Sequence, residues 1–318
     1  MRLRLLLGLS LLGISCASQP VVTPPVVPVA PPVIETPADP PEPAPATSGK
    51  DTLERVRQAL GTKMGLLVDL EAIRQHPARD VLEEYLVPES PLLDPALVAG
   101  TKRLLLTATN GQFGARWAVV VEHDLSPGEL DAVFAHLDRR CEPAAIEGVA
   151  LALHCGRSRL FTVAAPTPKL VVYTRTEPEL LRALVASPGL PKPVAAVEGW
   201  VDEPHRTFRG RNMPPIPETI ARGRGRLELQ EDGVELILEG DCESPSQAES
   251  DAAALNRVVE TSLPVPDLLI KPLQRLLHFT PDEKIVRLRR AVGTNELRFF
   301  LSLTRQLSKR DTRELHRD

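Results

Sequence analysis

The chain of 318 residues has few aromatic side chains and lacks the common local motifs of catalysis and metal binding. Phe, Trp and Tyr make up 3% of the residues, which counts against domains that stack sugars or bases on aromatic platforms. No CxxC, no HExxH, no acidic calcium loop and no phosphate-binding glycine loop occurs. The sequence therefore predicts no cofactor and no metal site, and a catalytic site would have to be assembled by the fold.

The charge balance argues against nucleic acid as a partner. Acidic residues outnumber basic ones by 42 to 38, which gives a formal net charge of −4. The basic residues are eight lysines and 30 arginines. The codon bias of a GC-rich genome explains this imbalance as well as an anionic ligand does. A chain without a basic excess predicts no nucleic-acid binding.

The first 16 residues, MRLRLLLGLSLLGISC, have the order of an export leader. Two arginines precede an apolar run, and Ser15 precedes Cys16. The run is far shorter than the roughly 20 apolar residues of a membrane-spanning helix. Residues 1–15 are therefore predicted to be a cleaved signal peptide. The alternative is an ordinary secreted protein in which this cysteine is incidental.

The end of this leader resembles the lipobox of bacterial lipoproteins. LGIS, residues 12–15, stands directly before Cys16, although Gly13 departs from the larger aliphatic residue that is usual there. The resemblance implies cleavage by the lipoprotein signal peptidase and attachment of diacyl and N-acyl chains to Cys16. Ala17, rather than Asp, is similar to the outer-membrane sorting pattern of Gram-negative relatives. We therefore expect a lipid-anchored protein of the cell envelope, held at the outer membrane.

A proline-rich linker follows the leader. Residues 17–49 contain eleven prolines, which favour an extended polyproline II conformation. Such a linker could hold the folded body up to roughly 90 Å from the lipid. The predicted organisation is a signal peptide at 1–15, the lipidated cysteine and linker at 16–49, two halves at 50–190 and 191–305, and a polar tail at 306–318.

Hydrophobic patterns predict an α+β fold of two similar halves, in which helices cover an antiparallel sheet. Each half is predicted to contain a strand, a β-hairpin, a helix and a second β-hairpin. Ser126, Pro127 and Glu129 form a helix-capping signature that Ser244, Pro245 and Gln247 repeat, so we infer a duplication; chance similarity is the alternative. The predicted strands are 64–70, 102–109, 115–123, 148–154, 158–164 and 169–174 in the first half, and 194–201, 225–230, 234–240, 284–291 and 296–303 in the second. The predicted helices begin near Asp51, at Ser126 and at Ser244, or cover 79–86, 177–186 and 266–277.

Three cysteines remain once Cys16 is assigned to lipid. Cys141 follows a predicted helix and Cys155 ends a predicted strand, so in an oxidising compartment we expect these two to form a disulfide. Cys242 is then unpaired. It precedes a predicted helix N-terminus, which can activate a thiol, but no histidine or second cysteine lies nearby, and we expect an inert thiol.

One connection is rich in arginine. Residues 205–226 carry six arginines and a single acid, Glu218. Guanidinium groups suit phosphate, which phospholipid headgroups and phosphorylated envelope polymers present. The alternative is a solvated charged loop. The candidate anion-binding residues are Arg206, Arg209, Arg211, Arg222 and Arg224.

Two further segments contain side chains that could act in catalysis. Asp202, Glu203 and His205 lie close together at the end of a predicted strand, as acid and base pairs or oxygen-rich metal ligands sometimes do, although a solvated loop rich in turn-forming residues is the plainer account. Ser158 lies in GRSRL, which lacks the closing glycine of a serine-hydrolase elbow. No catalytic residue is predicted. The expected role is non-enzymatic binding or scaffolding, with the membrane and an anionic envelope polymer or another envelope protein as partners; the alternative is an enzyme whose site lies between the two halves.

Overall fold

Twelve antiparallel strands form one sheet in the computed structural model, which describes residues 49–86, 94–109, 116–138, 141–156, 161–175, 178–208, 215–261 and 277–299. The strands are β1 (Met64–Asp69), β2 (Thr101–Ala108), β3 (Trp117–His123), β4 (Cys141–Pro143), β5 (Leu151–Cys155), β6 (Phe161–Thr167), β7 (Leu170–Thr174), β8 (Val197–Asp202), β9 (Arg222–Gln230), β10 (Gly233–Asp241), β11 (Thr280–Asp282) and β12 (Ile285–Gly293). The helices are α1 (Gly49–Leu60), α2 (Leu70–Arg74), α3 (Arg79–Leu86), α4 (Pro95–Gly100), α5 (Pro127–Asp138), α6 (Pro178–Leu184), α7 (Pro204–Thr207) and α8 (Pro245–Thr261).

The strand order places the first strands of the two halves side by side. From one edge to the other the order is β11-β12-β10-β9-β8-β1-β2-β3-β7-β6-β5-β4. Outward from the central β1–β8 pair, each half therefore continues with its own hairpin, β2–β3 or β9–β10, and then with a strand that follows its long helix. The predicted α+β class with an antiparallel sheet is confirmed. The predicted boundary between residues 190 and 191 lies in the connection from α6 to β8.

The sheet of the first half has helices on both faces. Alternate strand residues point to opposite sides of a sheet, so Leu66 of β1 packs with α2, α3, α4 and α5, whereas Leu67 packs with α1 and α6. All six residues of β1 are consequently buried. None of the helices in the described ranges has both the length and the apolar character needed to cross a membrane.

The predicted capping signatures begin α5 and α8. In α5 the Ser126 backbone N–H donates to Glu129 Oε2 over 2.8 Å, and the four residues predicted to be buried, Leu130, Val133, Phe134 and Leu137, are buried. In α8 the Gln247 backbone N–H donates to Ser244 Oγ over 3.2 Å. The Gln247 side chain turns instead to Asp251, so the second signature forms only half of the capping box.

The last predicted hairpin is wrong. Residues 294–299 are helical rather than the start of a strand at 296–303, and β12 pairs with β11 and β10. The physical reason is that β12 stays paired with β10 as far as Gly233 and Gly293, two residues beyond the predicted strand, and the chain then enters a helix at Thr294 instead of turning back. The predicted turn at Asn110 and Gly111, Ser158, most of the helix at 266–277 and the tail lie outside the described residues.

The predicted disulfide joins Cys141 and Cys155. The two cysteines are register partners on β4 and β5, at the edge of the sheet. Strand β4 has only three residues, one of them a proline, so few hydrogen bonds hold it in place. The covalent bond therefore fixes an edge strand that its own ladder would hold weakly.

Replacing both Cys141 and Cys155 by Ser should lower the free energy of unfolding by about 3 kcal/mol, because the bond closes a loop of about 15 residues in the unfolded chain. Denaturant unfolding of the oxidised wild type and the double variant measures this difference. The reduced wild type should match the double variant. Equal stability of the oxidised wild type and the variant would contradict the expectation.

Candidate binding surface

One face of the second half's sheet is lined with arginines and carboxylates. Helix α8 packs on the opposite face, where Ala248 and Ala252 contact Val286. Because side chains alternate along a strand, the register brings charged residues of three neighbouring strands to the other side. We call this surface the arginine face; it consists of Arg222, Arg224, Arg226 and Glu228 of β9, Glu235, Ile237, Glu239 and Asp241 of β10, and Arg287 and Arg289 of β12.

Glu239 is the hub of the arginine face. It lies in register between Arg224 of β9 and Arg287 of β12. Its carboxylate is 3.1 Å from Arg287 Nε, 3.8 Å from Arg224 Nε and 3.8 Å from Arg226 Nη2. Only 11% of the Glu239 side chain is exposed. Three guanidinium groups therefore share one recessed carboxylate. Glu239 links the row of arginines on β9 to the row of arginines on β12.

Three arginines of this face are more exposed than the carboxylates they pair with. The side chains of Arg222 and Arg289 are 56% and 64% exposed, whereas that of Glu235 is 15% exposed. Glu235 accepts two hydrogen bonds from Arg289, 2.7 Å from Nε and 3.0 Å from Nη2, and this contact lowers the pKa of Glu235. Arg222 and Arg289, and Arg224 at 45%, are thus more exposed than the carboxylates they pair with, of which Asp241 is the most exposed at 37%.

The acids predicted as a catalytic pair lie beside the arginine face, at the end of β8. Asp202 is 3.0 Å from Arg222 Nε and 3.8 Å from Arg57 of α1. Glu203 forms ion pairs with Lys63 and, over 2.8 Å, with Arg206. The hydrogen bond from Lys63 lowers the pKa of Glu203. A general base works best with a pKa near the operating pH, so Glu203 is poorly placed for proton abstraction.

The structure distributes the predicted anion-binding arginines over two elements. Arg206 belongs to α7, and Arg222 and Arg224 lie on β9. Strand β9 begins at Arg222 rather than at residue 225, because Asp202 and Asp241 pair with Arg222 on either side. Arg209 and Arg211 lie outside the described residues. Anion binding by these residues stays a prediction.

Arg287 and Arg289 were missed as site residues. A local signal existed in KIVRLRR, residues 284–290, where Arg287 and Arg289 are two positions apart and so lie on one side of a strand. What the local pattern lacked was the partner strand. Arg287 and Glu239 are 48 positions apart in the chain.

Cys242 lies between β10 and α8, with its thiol 3.4 Å from Asp251 Oδ2. Partial burial and the hydrogen bond to Asp251 raise the pKa of the Cys242 thiol to about 11. This direction is opposite to that of an activated cysteine. In the described ranges, no group of three or more His, Cys, Asp or Glu side chains is arranged to hold a metal ion.

Replacing Glu239 by Gln should lower the free energy of unfolding by about 1–3 kcal/mol, because charge-assisted hydrogen bonds are lost and three guanidinium groups remain close together. Urea unfolding measures the effect. The matched control is Glu228→Gln on the same face, which interacts with Arg289 only at longer range, and a change within about 0.5 kcal/mol is expected. Equal effects of the two substitutions would show that Glu239 is not the hub.

Comparison with known proteins finds no matching family model and no matching curated protein. Among solved structures, similarity is found to crystal forms I, IV and III of TP0453, with sequence identities of 9%, 9% and 10% and TM-scores of 0.44, 0.42 and 0.43. The alignments cover 77%, 79% and 77% of this chain and 96%, 95% and 96% of those chains. Similarity at this level supports no statement about function.

Proposed function

We propose that this chain is a lipid-anchored protein of the cell envelope, held at the outer membrane, whose folded body has a non-enzymatic binding or scaffold role. Cys16 at the end of the leader would carry the anchor. The Cys141–Cys155 disulfide supports export, because such bonds persist in oxidising compartments. The proposed ligand is a phosphate-bearing envelope component, either a polymer or a lipid headgroup.

The observation that carries the binding role is the exposure of three guanidinium groups on the arginine face, those of Arg222, Arg224 and Arg289. Each guanidinium has five N–H donors, and the described ion pairs use only part of them: Arg222 donates through Nε to Asp202, and Arg224 through Nη2 to Asp241. These side chains are 56% and 45% exposed, so a ligand can reach them from solvent. Planar donors of this kind match phosphate oxygens.

The spacing of the arginine face suits a ligand with several anionic groups. Side chains two residues apart on β9 are separated by roughly 7 Å, and the columns of β9 and β12, two strands apart, by roughly 10 Å. A single small anion would contact one or two of these groups. A polymer or a lipid surface would contact several at once, which favours an extended partner over a small metabolite.

The ion pairs at the end of β8 favour binding over catalysis. An enzyme with a site between the two halves would have to use Asp202 and Glu203, which lie next to the β1–β8 pair. Both carboxylates already face cations, and the lowered pKa of Glu203 keeps it ionised. The enzyme alternative requires a substrate that displaces Lys63 or Arg222 from these acids.

The double substitution Arg222→Gln and Arg224→Gln should weaken binding to vesicles that contain phosphatidylglycerol, measured at low salt with the Cys16→Ser chain so that acyl chains do not contribute. Each arginine near an anionic surface is worth about 1 kcal/mol, so roughly a 30-fold loss is expected. Soluble polyphosphate, titrated separately, distinguishes a polymer ligand from a lipid headgroup.

The matched control is Arg79→Gln with Arg290→Gln. It changes the net charge equally, and Arg290 lies on β12 but on the side opposite to Arg289. The control chain should bind like the wild type. Equal losses in the two double variants, or no binding of the wild type to either probe, would contradict the proposed role of the arginine face.

A further inference from the structure

We propose that the acidic part of the proline-rich linker, residues 35–48, docks on the arginine face of its own chain. The linker would occupy this surface whenever no external anion does. The docking itself is independent of the proposed function, whereas competition with an external ligand depends on it.

The charge of the linker is complementary to the outer layer of the arginine face. Residues 17–48 contain three acids, Glu35, Asp39 and Glu42, and no lysine or arginine. The side chains of Arg222, Arg224 and Arg289 are 56%, 45% and 64% exposed, whereas those of the carboxylates they pair with are 31%, 37% and 15% exposed. An approaching acidic segment therefore meets more guanidinium surface than carboxylate surface at these three pairs.

The linker joins the folded body on the same side of the sheet as the arginine face. Leu67 packs against Val56 and Leu60 of α1, and its register partner is Glu198 of β8. Glu198 is in turn the register partner of Arg226, a member of the arginine face. Register partners project to the same side of a sheet, so α1 and the arginine face share one side.

The first residue of α1 lies above the pair of β2 and β3. A Cβ built on Gly49 would come within 2.8 Å of Pro191 Cα. The backbone of the preceding residue, Leu190, accepts a hydrogen bond from Arg103 of β2 and donates one to Glu122 of β3. The linker therefore leaves the body on the same side of the sheet as the arginine face, with β1 and β8 between its exit point and β9.

The lengths match. Glu42 precedes Gly49 by seven residues, which span about 22 Å in polyproline II conformation. The distance from β2 to β9 is three strand spacings, or about 14 Å, and the distance from β2 to β12 is five, or about 24 Å. Asp39 and Glu35 follow at intervals of about 9 and 12 Å, close to the roughly 10 Å between the arginine columns.

The prolines around these acids decide how the linker can bind. Pro37, Pro40, Pro41 and Pro43 have no backbone N–H, so this segment is a poor addition to a sheet edge. The acidic side chains of this segment can still contact the side chains of a sheet face. Exposed ion pairs are individually weak and screened by salt, but tethering supplies an effective concentration in the millimolar range. The docking is therefore reversible and favoured at low salt.

A spin label on the linker tests the docking. A nitroxide is attached at Ala38→Cys in the Cys16→Ser chain, where the protonated thiol of Cys242 reacts slowly. At low salt, NMR signals of β9, β10 and β12 should broaden several-fold more than those of β5 and β6, and high salt should remove the difference. The matched control carries the same label with Glu35→Gln, Asp39→Asn and Glu42→Gln, and it should lose the selective broadening. Equal broadening in the acidic and neutral linkers would overturn the proposal.

Binding to phosphatidylglycerol vesicles separates the two proposals. If the linker competes for the arginine face, the neutral-linker chain should bind several-fold more tightly than the acidic-linker chain at low salt. Selective broadening without vesicle or polyphosphate binding by either chain would retain the docking and reject the proposed function. Binding of equal strength in both chains, without selective broadening, would reject the docking and retain the proposed function.

Discussion

The antiparallel pairing of β1 with β8 is the constraint on which the rest of the structure depends. It runs from the pair of Met64 with Val201 to that of Val68 with Val197 and joins the two halves into one sheet. The contact requires Gly65, because a Cβ there would lie 2.2 Å from the Trp200 ring. Arg57 of α1 lies over the Trp200 ring, 5.2 Å from its centroid, so the Trp200 side chain of β8 contacts both β1 and α1. This junction places α1 on the same side of the sheet as the arginine face.

The two halves use a similar strand order for different surfaces. In the first half helices cover both faces, and the strands are apolar on both sides. In the second half α8 covers one face, and most residues of β9, β10 and β12 on the other side are charged. Ile237, Ile285 and Ala291 are apolar residues on the charged side; Ile237 is 5% exposed, consistent with arginine stems lying over it. An antiparallel sheet commonly has one face packed on the core and one solvated, and the arginine face is the solvated one, for which we propose binding.

Local patterns predicted elements whose signals lie within one segment. The capping residues and the i, i+3, i+4 and i+7 spacing located α5, and a buried apolar run located β1. The last hairpin and the start of β9 were misjudged, because both are decided by pairing with strands far away in the chain. The arginine face shows the same limit. Arginines and acids were visible separately, but the ion pair between Glu239 and Arg287 depends on a register that no local pattern contains.

The proposed location and the proposed ligand both depend on Cys16, since acyl chains on this residue would determine which anions the arginine face can reach. Mass spectrometry of the mature chain, isolated from native envelopes, tests this most directly. The account predicts a polypeptide that begins at Cys16 and carries diacyl and N-acyl chains on that residue. An unacylated mature chain, or one cleaved elsewhere, would contradict it.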